Sequence, residues 1–213
     1  IKMGQADVLI IAGDFGELVR NEAYIRHLAS IAEPFKQVFV VPGNHEYYGL
    51  TKDDAWDKMR VYETVIPNVR IVDNEIVDFG DRSVLFSSLW YSWSPSADLY
   101  LSNWSDSCIT DYRKWLFVHG AKSKAYVELL AKRVDMVVTH MLPTSKVVAS
   151  QYAGDPYNCF FVNQLDNFDA PIYAFGHTHS AVDFIDYDGT RFICNPSGYD
   201  YSENPDFDPN KIV

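Results

Sequence analysis

The sequence is poor in cysteine, poor in positive charge, and without an apolar run of membrane-spanning length. Only three cysteines occur, Cys108, Cys159 and Cys194, far apart and in no C-x-x-C pair. That excludes a disulfide framework, a thiolate zinc site and a dithiol redox motif, and a reducing compartment, the cytoplasm, is the expected location. No stretch approaches the roughly 20 consecutive apolar residues that cross a bilayer, and the first residues lack the basic-then-apolar secretory pattern. No membrane partner is expected. Lys and Arg number 18 against 29 Asp and Glu, a formal net charge of −11. Affinity for long nucleic acid comes mostly from Lys and Arg neutralising phosphates, and no basic stripe is present. A long nucleic acid partner is therefore not expected, although a local site remains able to hold one phosphate.

What the chain does have is a core. Of 213 residues 47% are hydrophobic, with 13 Phe, 14 Tyr and 5 Trp, enough for one domain over residues 1–213 that needs no covalent staples. Residues 6–12 (ADVLIIA) and 37–41 (QVFVV) are continuous apolar runs of the kind that form strands buried on both faces. The first reads as internal to a sheet, so a further strand is expected ahead of it. Residues 20–33 set Ala23, Ile25, Leu28, Ala29 and Ala32 at helical spacing and stop at Pro34. Residues 51–62 read as a helix with Thr51 as N-cap. Short strands are predicted at 69–72, 75–79 and 83–87, a helix over 121–132, strands at 134–139 and 171–175, and a hairpin over 181–194 turning at Asp188-Gly189. Residues 90–115 are aromatic and follow no period, and read as a long loop or insertion beside a site. Strands alternating with helices indicate an α/β fold.

Four short motifs follow strands directly: Gly13-Asp14, Gly43-Asn44-His45-Glu46, Thr139-His140 and Gly176-His177-Thr178-His179. Ligands of open α/β sheets bind outside the carboxyl ends of the strands, so these tips can converge. Alternate residues of an extended segment face one side, which lets His177 and His179 reach the same place. Alone, Asp14 reads as a turn cap and His140 as a packed histidine. Together they offer a carboxylate, an amide and several imidazoles with no thiolate, a donor set suited to Mn, Fe or Zn.

In this order and spacing, GD, GNHE, TH and GHTH resemble the calcineurin-like metallophosphoesterases. The resemblance continues through Asp111-Tyr112-Arg113, Tyr152-Ala153-Gly154-Asp155-Pro156, Cys194-Asn195-Pro196-Ser197-Gly198-Tyr199 and Glu203-Asn204-Pro205, pieces similar to a bacterial and phage branch of the family. It implies two β-sheets packed as a sandwich and flanked by helices in four layers, two divalent metal ions, and hydrolysis of phosphomonoesters or phosphodiesters by metal-activated water. Residue by residue, it makes Asp14 the carboxylate shared by both ions. Asn44, His140 and His177 become the other ligands of one ion, with Asn44 also facing substrate, and His179 a ligand of the second. It makes His45 the general acid for the leaving oxygen and Glu46 its support.

The family's Asp-x-His motif, on a strand ahead of GD, has no counterpart here, because residues 1–13 contain no histidine. The second ion would then keep only Asp14 and His179. The expectation is that the first strand lies outside this sequence, with a one-ion site as the alternative and a scaffold without chemistry as the rival to an enzyme. His45 favours the enzyme, since a scaffold has no use for a non-ligand histidine beside a metal set. The expected substrate is a small phosphate ester or a phosphoprotein. Arg113 reads either as a fork for a substrate phosphate or as a partner of a nearby carboxylate that pins the segment. Tyr91, Trp93, Trp104 and Trp115 read either as a stacking surface for a flat leaving group or as a satellite core. His27 and His119 read as surface or packing residues, with His119 in a loop, and the cysteines as small buried hydrophobes. Residues 200–208 read as an acidic surface segment that packs down.

Overall fold

The computed structural model describes residues 6–199 and 203–213, the side chains of 114–118 excepted. Its strands are β1 (Val8–Ile11), β2 (Gln37–Val40), β3 (Val69–Ile71), β4 (Glu75–Asp78), β5 (Ser83–Ser87), β6 (Met136–Thr139), β7 (Ile172–Phe175), β8 (Val182–Ile185) and β9 (Arg191–Cys194). They make a parallel three-stranded sheet, β1-β2-β3, and a six-stranded sheet, β4-β5-β6-β7-β9-β8. In the larger sheet β5, β6, β7 and β9 run parallel, and β4 and β8 pair antiparallel at its edges.

Period-two alternation turns these strands into a sandwich. Phe39, Val41 and Val72 of the smaller sheet face Val77, Val84, Phe86 and Val138 of the larger one, and Phe39 stacks on Phe86 with ring centroids 5.4 Å apart. The alternate residues Val38, Val40, Leu85 and Val137 join the outer core beneath the helices. Helix α1 (Asn21–Ala32) buries Tyr24, Leu28 and Ala32, and Tyr24 stacks on Tyr62 of α2 (Lys52–Val65). The expected Thr51 cap is present, its hydroxyl accepting the Asp54 N–H at 3.1 Å. Helix α2 lies on β3, and α4 (Tyr112–Leu130) lies on β5. The layers run helix, sheet, sheet, helix, as the resemblance implies.

Four expectations need correction. Strand β1, predicted to be fully buried, stands at the edge of its sheet among the described residues, and all four of its residues are only half-buried. The segment 90–115 is not a loop. It holds α3 (Pro95–Tyr100), where Ser94 caps the Ala97 N–H and Pro95 opens the first turn, then two 3₁₀ turns and the start of α4. Helix α4 begins at Tyr112 rather than at 121, so His119 is helical. Gly120, which breaks the helical pattern in sequence, sits where α4 crosses the chain at Tyr91, and a Cβ there would stand 2.2 Å from the Tyr91 carbonyl oxygen. Finally, only Cys194 is a buried thiol, which burial pushes up to about 12. Cys159 is half-buried and Cys108 exposed. No helix among the described residues is long and apolar enough to cross a membrane.

Candidate metal centre

Strand ends deliver the cluster. Asp14 follows β1, Asn44 follows β2, His140 follows β6 and His177 follows β7, so both sheets contribute. The backbone is bent hard at these points: Asp14 and His177 adopt φ of 54° and 64°, left-handed conformations that cost a non-glycine residue about 1–3 kcal/mol each. Strain of that kind gathers at functional sites. Gly13, with φ of 87°, permits the turn and the approach of the imidazole, since a Cβ there would lie 2.1 Å from His140 Nδ1.

One ligand atom each from Asp14, His140 and His177 lies within 4.8 Å of the others. His140 Nδ1 donates to the Ala12 carbonyl oxygen at 2.8 Å, which leaves Nε2 to face Asn44 Oδ1 at 3.0 Å and Asp14 Oδ2 at 3.3 Å. Fixing one ring nitrogen in this way is how proteins orient a histidine ligand. His177 is buried, 3.8 Å from the Asp14 carboxylate, and neither of its ring nitrogens has a hydrogen-bond partner among the described residues. Burial holds its pKa below the usual value, so the ring stays neutral. A buried, neutral, unpartnered imidazole beside a carboxylate, an amide oxygen and a second imidazole fits a divalent cation of the Mn, Fe or Zn type. Burial by itself would raise the pKa of Asp14, but His140, His177 and His45 outweigh it and keep the carboxylate well below its usual range. Burial likewise pulls His140 down, and Asp14 more than reverses the pull.

Two buried carboxylates brace this group. Glu46, fully buried, accepts the N–H groups of Asp14, Phe15, Gly16 and Gly43 at 2.7–3.3 Å and the Tyr24 hydroxyl at 3.3 Å. It thereby ties the turn after β1 to the turn after β2. Burial and the charge of Asp14 push it up to about 7, against the pull of His140 and the surrounding amides. Asp106, also fully buried, accepts from Asn44 Nδ2 at 2.9 Å, from the Tyr48 hydroxyl at 2.9 Å and from the Tyr91 hydroxyl at 3.0 Å. Neither Asp106 nor Tyr48 stood out in the sequence. The one signal available was an isolated acid inside an aromatic segment.

The cluster opens into a cavity of ≈ 680 Å³ that is also lined by His45, His179, Trp104, Tyr157 and Phe161. His45 is not among the converging ligand atoms. Its N–H donates to Asp14 Oδ1 at 3.0 Å, and its ring rests against Tyr48 at 4.5 Å. His179 also stands outside the convergent group. Its Nδ1 donates to Glu203 at 2.6 Å, and Tyr199 packs against the ring at 4.6 Å. Asn44 lines the cavity as expected, but Arg113 does not. Arg113 pairs with Asp98 of α3 at 3.2 Å on the surface. Tyr91 is core, stacked on Trp90 and fully buried. Trp104 serves both readings, since it lies flat on Phe160 at 5.0 Å and also lines the cavity. Trp93 is half-exposed and does not line the cavity. The side chain of Trp115 and residues 200–202 lie outside the described residues.

Known proteins place this arrangement. An uncharacterised protein of Acanthamoeba polyphaga mimivirus is 28% identical over 241 residues, spanning 96% of this chain and 82% of its own length. The crystal structure of phosphopantetheinyl hydrolase (PptH) from Mycobacterium tuberculosis shares the fold, with a TM-score of 0.68 over 90% of this chain and 79% of that one, at 17% identity. Residues 1–181 match the sequence profile of calcineurin-like phosphoesterases. With most of its length inside that match, the chain belongs to the calcineurin-like phosphoesterase family, and is a metal-binding hydrolase of phosphate esters.

Proposed function

We propose that this protein hydrolyses small phosphate esters in the cavity above Asp14, with His45 as the proton donor. Asp14, Asn44, His140 and His177 would hold one divalent ion, and Asp14 with His179 would contribute to a second. Bound there, the ions supply Lewis-acid polarisation of a phosphoryl oxygen and a nucleophile at neutral pH. The observation that carries the reading is the position of His45, on the cavity wall and tied to Asp14 through its own N–H, yet outside the ligand group. An imidazole placed so protonates the leaving ester oxygen as its bond to phosphorus breaks. Glu46 keeps the two turns that carry Asp14 and His45 in register. Three cysteines without a disulfide support a reducing, cytoplasmic setting, and the acidic charge balance supports a small substrate over long nucleic acid.

The test is metal content after Mn²⁺ loading, read beside hydrolysis of an aryl phosphodiester and an aryl phosphomonoester. His45→Ala should keep the metal and lose turnover by about 10²–10⁴-fold. Asp14→Ala should lose both. A His45→Ala protein with full turnover would remove the proton-donor role, and a chain that takes up metal without cleaving either ester would make this a scaffold.

A further inference from the structure

The cavity carries a charge pattern that a metal centre does not by itself require. Besides Asp14, its walls present Asp155, Glu203 and Asp206, and among the described residues that line it there is no Lys or Arg. The basic side chains of neighbouring segments are turned to other partners: Lys146 pairs with Asp186, Lys211 with Asp183, and Arg113 with Asp98. The rest of the wall is aromatic. Trp104 and Tyr157 stand with ring centroids 5.7 Å apart, Phe161 lies 5.3 Å from Trp104, and Tyr152 is half-exposed at the rim. Metal ions would neutralise the phosphoryl group they hold, but a second anionic group on the same substrate would have to lie against carboxylates with no Lys or Arg among the described lining residues to meet it. Aromatic faces accept flat or apolar groups, and they attract cations while repelling anions.

We propose that the site selects esters with a single phosphoryl group whose remaining part is aromatic or apolar and uncharged or cationic, and that it rejects substrates bearing a second phosphate. This selection rests on the phosphoesterase reading above. Asp155 and Asp206 enforce it by charge rather than by shape. Asp155 also caps a 3₁₀ turn, accepting the Tyr157 N–H at 2.8 Å, a role that asparagine fills equally well. Asp155→Asn therefore removes the charge and keeps the turn.

Two matched esters test the proposal with the Mn²⁺-loaded protein: the p-nitrophenyl ester of thymidine 5′-monophosphate, and the same compound with an added 3′-phosphate. The leaving group is identical, so kcat/KM reports the effect of the added 3′-phosphate, and the charge-removing double variant separates its charge from its bulk. The singly phosphorylated ester should be favoured by about tenfold or more at low salt, with the ratio shrinking as salt screens the wall. The Asp155→Asn/Asp206→Asn double variant should narrow the ratio several-fold. Calorimetry in parallel compares thymidine 5′-monophosphate with thymidine 3′,5′-bisphosphate. Tighter binding of the monophosphate supports the selection even if neither ester turns over, a result that would count against the catalytic reading alone. Equal or tighter binding of the bisphosphate, or a ratio that the double variant leaves unmoved, overturns it.

Discussion

Asn44 illustrates what a single buried carboxylate can decide. An amide offers oxygen at one end and N–H at the other, and only the oxygen is a metal ligand. Here Nδ2 donates to Asp106 at 2.9 Å and to the Tyr48 hydroxyl at 2.7 Å, which turns Oδ1 toward His140. Asp106→Ala should let the amide rotate, lowering affinity for the first ion by about 10–100-fold. Titration calorimetry with Mn²⁺ on a protein shown to be folded would measure it. Asp106→Asn, which keeps an acceptor, should lose less, and an unchanged affinity in Asp106→Ala would sink the idea. The same logic applies at Glu203, which accepts from Nδ1 of the cavity-lining His179 and so leaves Nε2 as the ring nitrogen to offer an ion. Glu203→Gln should weaken binding of a second ion and spare the first, read as a change in the metal-to-protein ratio at sub-saturating Mn²⁺. The side chains that converge, Asp14, Asn44, His140 and His177, were legible because each stands directly behind an apolar strand in a short motif. Asp106 was not, because it meets Asn44 across 62 residues of chain, inside a segment whose aromatics pack in several directions and follow no period.

Elements were legible where one face repeats, and illegible where a residue answers to tertiary contact. Helix α1 and strand β2 fall where their apolar runs place them, although α1 buries Tyr24, Leu28 and Ala32 and leaves Ala23 and Ala29 exposed. Helix α4 does not, because its glycine is required by the backbone it crosses rather than by any break. The longer α4 brings His119 against the start of α2, where Lys52 Nζ lies 3.2 Å from His119 Nδ1. Burial, then Lys52 and Lys122, push His119 down to about 4. An unfolded histidine titrates near 6.5, so below that pH the unfolded chain binds a proton that the folded chain refuses. Stability contributed here is complete above ~6.5 and falls as pH drops through the window to about 4. His177, also depressed, adds to the slope, while His140, raised, opposes it. The difference between wild type and His119→Gln isolates the α2–α4 contact. The variant should show a shallower loss of urea midpoint between pH 6.5 and pH 4, and parallel curves for the two proteins would show that the contact does not couple to pH.

At the scale of the molecule, sequence alone could not say which strands share a sheet. Strands β3 and β4 are separated by only three residues, yet they belong to different sheets. The sandwich came from family resemblance and not from periodicity, which shows only that both faces are buried. The partition has a mechanical consequence. Asp14 and Asn44 come from the three-stranded sheet, and His140 and His177 from the six-stranded one, so an ion held by all four bridges the two halves of the sandwich. Binding confined to the folded state stabilises it by RT ln(1 + [L]/Kd), about 2.7 kcal/mol at a hundredfold excess over Kd. For a chain of this size, about 2–4 °C of Tm follows each kcal/mol, so Mn²⁺ at that excess should raise Tm by about 5–10 °C over the chelated protein. Asp14→Ala should abolish the rise. His45→Ala should keep it, because His45 lines the cavity outside the convergent group. A rise that survives in Asp14→Ala would place the stabilising ion elsewhere, and no rise in the wild type would mean that the four side chains, though convergent, do not tie the sheets together through a metal.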